Sequence, residues 1–193
     1  MKVKKLRSVE VYELNQTYQQ VMNWFFAFPQ KEFSLTEISQ ELGIAKTTTK
    51  RAVTKLVNEG FLRIEIIGRV WRISCNSNHP YNLTRKIGHN LGMIYESGIL
   101  QELRKITPNP KAVILFGSYR WGSDNEKSDI DIAIEILGND EMKILQLGVL
   151  PRFGFRANTP VNLHIFCRNK IDPNLFANIA NGILLEGLLE VRP

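Results

Sequence analysis

Two aspartates one residue apart, Asp129 and Asp131, stand in the run SDIDIAIEI. Strict alternation marks this run as a strand. Carboxylates at i and i+2 then share one face, about 6.5–7 Å apart. Ile130, Ile132, Ile134 and Ile136 take the opposite, core-facing side. Repulsion between two like charges so close raises at least one pKa unless a cation sits between them. Hard divalent ions, Mg²⁺ or Mn²⁺, choose such oxygen donors and keep room for phosphates. Just upstream, the apolar run KAVILF stops at Gly117-Ser118. Gly117 permits a tight turn, and free N–H groups at such a turn attract anions. An acidic pair facing a Gly-Ser turn therefore suits metal-assisted phosphoryl or nucleotidyl transfer, with a nucleoside triphosphate as substrate or ligand. A solvated acidic strand face is the plainer reading of the pair. It is the expectation for Glu135, about 13 Å along the strand from Asp131.

The elements that must hold these residues read as follows. KAVILF, bounded by Pro110 and Gly117, is a buried strand, and YRWG opens a short helix. Residues 82–106 carry the pattern of one long helix, closed by TPNP. TPVNLHIFC is a further strand. Upstream, residues 12–28 place Leu14, Tyr18, Val21, Met22 and Phe25 at helical spacing before Pro29. Ser34 with Glu37 matches a capping box, opening a helix with Leu35, Ile38 and Leu42 inward. Gly43-Ile44-Ala45 turns the chain into a second helix from about Thr47 to Asn58, ended by Gly60. FLRIEIIGRVWRIS reads as a hairpin turning near Gly68-Arg69. The polar segment CNSNHPYN, residues 75–82, divides the chain into residues 1–78 and 79–193. His79 and His89 are expected at the surface or in the linker.

Composition narrows the partners. Residues 1–80 hold 12 Lys+Arg against 7 Asp+Glu, and residues 81–193 hold 13 against 12. The basic first part is suited to phosphates, whereas the second is nearly neutral. No apolar run reaches the roughly 20 residues that span a bilayer. The basic start MKVKKLRSVE has no apolar segment after it, so no signal peptide is expected. Cys75 and Cys167 form no CxxC pair and read as buried thiols in a reducing, cytoplasmic setting.

Three helices and a hairpin, in the order found over residues 10–75, resemble a winged helix-turn-helix. The resemblance implies a DNA-binding face made by Lys46, Thr47, Thr48, Lys50 and Arg51 at the exposed start of the second turn helix. Arg69 at the hairpin tip, with Arg63 and Arg72 nearby, would reach the flanking phosphates. Winged helices also serve as protein-binding or dimerising modules, so a protein partner or a homodimer is compatible with the same elements.

Gly117-Ser118, ten residues, then Asp129-Ile130-Asp131 resembles the GSx10DxD signature of the minimal nucleotidyltransferases of the DNA polymerase β superfamily. The likeness covers about residues 85–190, and NIANGILLEGLLEV is similar to that family's closing helix. It implies an α+β chain, with a small mixed sheet flanked by helices behind the winged helix. It implies Gly117, Ser118 and Ser128 at the nucleotide and Asp129 and Asp131 as catalytic metal ligands. Arg120 is placed either on phosphate or in a solvated turn, and Trp121 is expected as a packing anchor. The family's third carboxylate falls here on Asn162, within Val161-Asn162-Leu163. An amide can ligate through oxygen but cannot accept a proton as a general base. His164, on the same face, stands open as ligand, base or structural residue. Three functions remain: a nucleotidyltransferase modifying a nucleic-acid or protein acceptor, a DNA-binding regulator that senses nucleotide, and a non-catalytic interaction module.

Overall fold

The computed structural model describes residues 16–191. Leu14 and the MKVKKLRSVE segment lie outside the described residues. Helix α1 (Gln16–Ala27) buries Val21, Met22 and Phe25, and α2 (Leu35–Leu42) starts on the expected capping box. Ser34 Oγ accepts from the Glu37 amide, while the Glu37 carboxylate accepts from the Ser34 amide and is held below its ordinary pKa by that bond. Gly43, at φ 63°, closes α2 in the left-handed conformation. Helix α3 (Lys46–Asn58) packs Val53 and Leu56 inward, and β1 (Leu62–Ile67) pairs antiparallel with β2 (Val70–Cys75). Phe33 adds a bridge to Ile73, so the turn before α2 is stitched to the wing.

The second unit is an α+β layer arrangement. Its elements are α4 (Arg85–Glu96), α5 (Ile99–Ile106), β3 (Ala112–Phe116), α6 (Ser118–Trp121), β4 (Ile130–Ile136), β5 (Lys143–Phe153), β6 (Arg156–Cys167), α7 (Pro173–Ala180) and β7 (Ile183–Gly187). The sheet runs β5-β6-β4-β3-β7, and β4 and β6 are its parallel pair. On one face Ile130, Ile132 and Ile134 meet Ile94, Ile99 and Leu103 of α4 and α5. On the other, Ala133 and Phe166 meet Ile179 of α7. The sheet is thus covered on both sides, as a strand of continuous burial requires.

Several expectations are corrected. The helix over 82–106 is two helices, because Gly98 takes φ 80° and breaks the hydrogen-bond ladder between α4 and α5. The NIANGILLEGLLEV segment does not continue as a helix. After α7 it becomes strand β7, which pairs antiparallel with β3 at the sheet edge. Glu135 is not a solvated surface acid but 1% exposed, because α7 and the chain after β6 close over that face. Of the two histidines, His79 lies in the linker as expected and His89 on α4, and both make packing contacts. His79 Nε2–H donates to the Glu59 carbonyl at 3.0 Å and its ring meets Tyr81 edge-on. His89 lies against Phe26, and burial pushes its pKa down to about 4. The thiols are unbridged; Cys167 is buried, and burial raises half-buried Cys75 to about 11.

Candidate functional site

Strand β3 ends at Gly117, whose φ of 69° and ψ of −154° only glycine adopts without strain. A Cβ built there would lie 2.6 Å from Asp131 Oδ2. The turn and the second aspartate therefore touch, and any side chain at 117 would displace the carboxylate. Asp131 stands opposite Phe116 on β3 and opposite Asn162 on β6. Asp129 immediately precedes β4, within reach of the same amide. Asn162 Nδ2 donates to Asp129 Oδ2 at 2.5 Å and to Asp131 Oδ1 at 3.2 Å. One amide bridging two carboxylates means that the three side chains converge on one point.

The donor set fits a hard divalent ion. Both carboxylates are half-buried, and no Lys or Arg lies within ion-pair distance of either among the described residues. Rotating the Asn162 amide by half a turn would present its Oδ1 where Nδ2 now lies, giving an all-oxygen set. No cluster of three or more His, Cys, Asp or Glu side chains able to hold a metal occurs among the described residues. The amide thus occupies the place where a third acid was sought. His164 Nε2 is 3.7 Å from Asp131 Oδ1, and its ring packs edge-on against Phe116 at 5.0 Å. Its Nδ1 is buried without a hydrogen-bond partner.

The remaining nucleotide-side candidates divide. Ser118 begins α6, directly after the Gly117 turn. Arg120 is anchored, its Nε–H donating to the Asn181 carbonyl at 2.6 Å and its guanidinium lying 3.9 Å from the Trp121 ring centre. Trp121 is 51% exposed, so the expected packing anchor is instead an open ring beside the Gly-Ser helix. Ser128 turns inward: its hydroxyl accepts from the Asn125 amide and holds the loop before Asp129.

Sequence reasoning missed the polar groups beneath this loop. Lys86 and Asp124 are 1% and 2% exposed and form an ion pair at 3.3 Å. Asn90 Nδ2 donates to Asp124 Oδ1 at 2.7 Å and to the Tyr119 carbonyl. Burial pushes the Asp124 carboxyl up and the Lys86 ammonium down, while their pairing opposes both shifts. Gly122 is the complementary signal in sequence, since a Cβ there would sit 2.0 Å from the Asn82 carbonyl. Glu135 was missed as well. It accepts from Arg168 Nε and Nη2 at 3.0 and 3.1 Å and from Lys111 at 3.3 Å.

At the other end, Lys46, Thr47, Thr48, Lys50 and Arg51 are exposed along the first turns of α3. Ala45, the residue before it, offers no side-chain cap to the first-turn N–H groups, while its carbonyl accepts from Thr48 and Thr49. A cleft of about 390 Å³ joins Lys46, Thr47 and Lys50 to Arg69 of the wing, whereas Thr48 and Arg51 lie outside it. Lys46 donates to Thr36 Oγ1, and Lys50 sits over the Trp71 ring at 5.1 Å. Arg63 and Arg72 are drawn to Asn76 and Glu32.

A helix-turn-helix unit joined to a nucleotidyltransferase-type sheet is the class that these elements define. Comparison with family models agrees: residues 99–185 match Polymerase beta, Nucleotidyltransferase, and residues 22–64 match the IclR helix-turn-helix domain. The two matches lie in the order the fold shows, a helix-turn-helix first and a nucleotidyltransferase-type domain after it. No curated protein matches it significantly. No helix among the described residues is long and apolar enough to cross a membrane.

Proposed function

We propose that this protein is a divalent-metal-dependent nucleotidyltransferase which its winged helix delivers to DNA. The observation that carries the reading is the contact between Gly117 and Asp131, which joins an anion-binding turn to a convergent set of oxygen donors. Asp129, Asp131 and the Asn162 amide oxygen would hold Mg²⁺ or Mn²⁺. Bound there, such an ion neutralises and orients triphosphate oxygens. The Gly117 turn would offer its backbone to a phosphate, and Ser118 a hydroxyl beside it. In the transfer, an acceptor hydroxyl attacks the α-phosphorus, the bond to the β-phosphate bridging oxygen breaks, and pyrophosphate leaves. His164, whose Nε2 lies 3.7 Å from Asp131 Oδ1, would take the acceptor's proton. Lys46, Thr47, Lys50 and Arg69, gathered at one cleft, supply the DNA-facing surface with Thr48 and Arg51 on the same helix start.

Incubation with radiolabelled NTPs, Mg²⁺ and candidate DNA or protein acceptors should leave label on an acceptor. Label undiminished in the Asp129→Asn, Asp131→Asn double variant would remove these residues from the metal site. A second reading is favoured by Asn162. A neutral amide already bonded to both acids suits a regulator that binds nucleotide without turnover, with the winged helix as its output. NTP binding by calorimetry in the absence of product would select that reading.

A further inference from the structure

Arg156 opens β6 at the tip of the β5–β6 hairpin and is only 5% exposed. Among the described residues no carboxylate forms an ion pair with it, and its Nε–H has no hydrogen-bond partner. Its two terminal nitrogens donate instead to the Tyr119 hydroxyl and to the Ser128 carbonyl. Tyr119 follows Ser118, and Ser128 precedes Asp129. One guanidinium therefore ties together the two ends of the ten-residue connection that separates the Gly-Ser turn from the acidic pair. Phe155, the residue before it, reaches the winged helix. Its ring meets Trp24 of α1 edge-on at 5.4 Å and joins the core of the winged helix.

We propose that Arg156 is a positioning residue that sets the spacing between the phosphate turn and the metal-binding acids, and that Phe155 makes the winged-helix domain part of that setting. The first half concerns the geometry of the loop itself; its consequence for ligand rests on the nucleotide reading above. Burying a guanidinium without a carboxylate in direct contact is costly, so its bonds must hold the group in one place. The planar fork reaches two acceptors on separate segments at once, which an ammonium on a flexible stem does not. Displacing either segment by an ångström is enough to spoil an aligned site.

The test uses the full chain in two measurements. Amide hydrogen exchange without ligand should speed up by about tenfold to a hundredfold at residues 118–121 and 128–131 in Arg156→Met, the span expected for losing hydrogen bonds to a charged group. Arg156→Lys should lose nearly as much protection. Tyr119→Phe, which keeps the ring and deletes one acceptor, should lose less. Phe155→Ala should loosen the same amides although it touches none of them, while amides of α2 and α3 stay as in the wild type. Calorimetry with Mn²⁺ and a non-hydrolysable ATP analogue should then rank affinities in the same order. Wild-type protection and affinity in Arg156→Lys would overturn the fork, and unchanged loop exchange in Phe155→Ala would overturn the link to the winged helix. A wild-type protein that binds no Mn²⁺–nucleotide refutes the nucleotide reading alone, because the exchange data still decide the clamp.

Discussion

The two ends of β4 treat the same chemical group in opposite ways. Glu135 is sealed from water and held by the Arg168 fork and by Lys111, so its charge is fully answered within the chain. Asp129 and Asp131, at the other end, are half-exposed and bridged by a neutral amide. Burial without a counter-charge is costly, and like charges side by side repel. An acid that has its cation is architecture; the pair that lacks one is where we propose that a cation from solution would bind. Asp124, beneath the loop, sides with Glu135 because Lys86 answers it.

Breaking the answered pairs should cost the most. Lys86→Met leaves a carboxylate stranded in the core and should destabilise the protein by about 3–5 kcal/mol in urea denaturation. A loss under about 1 kcal/mol would mean that Asp124 protonates freely and the pair is not structural. Arg168→Met should cost less, about 1.5–3 kcal/mol, since Lys111 remains on Glu135. Equal melting of variant and wild type would contradict the pairing. The unanswered acids should respond in the reverse direction. In metal-free buffer Asp131→Asn removes a repulsion, so stability should hold or rise by up to about 1 kcal/mol, while Mn²⁺ uptake followed by electron paramagnetic resonance falls. A clear loss of stability would place Asp131 with Glu135 among the structural acids.

Local signals in the chain were readable wherever neighbours in sequence decide the outcome. The Ser34–Glu37 box, the left-handed Gly43, the Gly68-Arg69 turn and the Gly117-Ser118 stop all behave as their own side chains dictate. The acidic pair was legible because alternation places Asp129 and Asp131 together, and the parallel register of β4 and β6 then adds Asn162. What escaped was decided by distant segments. ILLEG satisfies either period, and its pairing with the free edge of β3 settled it as a strand. Lys86 and Arg156 are ordinary surface types, and only tertiary packing puts them beneath the loop. Glu135 looked solvent-facing because the cover supplied by α7 has no local trace in its strand.

The placement of Phe155 also governs what becomes of the halves when they are parted. Severed at residue 79, the C-terminal piece would carry a bare aromatic ring on its hairpin, and the N-terminal piece a tryptophan that keeps Phe28 and Phe33 but loses its third ring neighbour. Each fragment would offer the other's missing surface to any passing molecule and would tend to clump or to seek out its former mate.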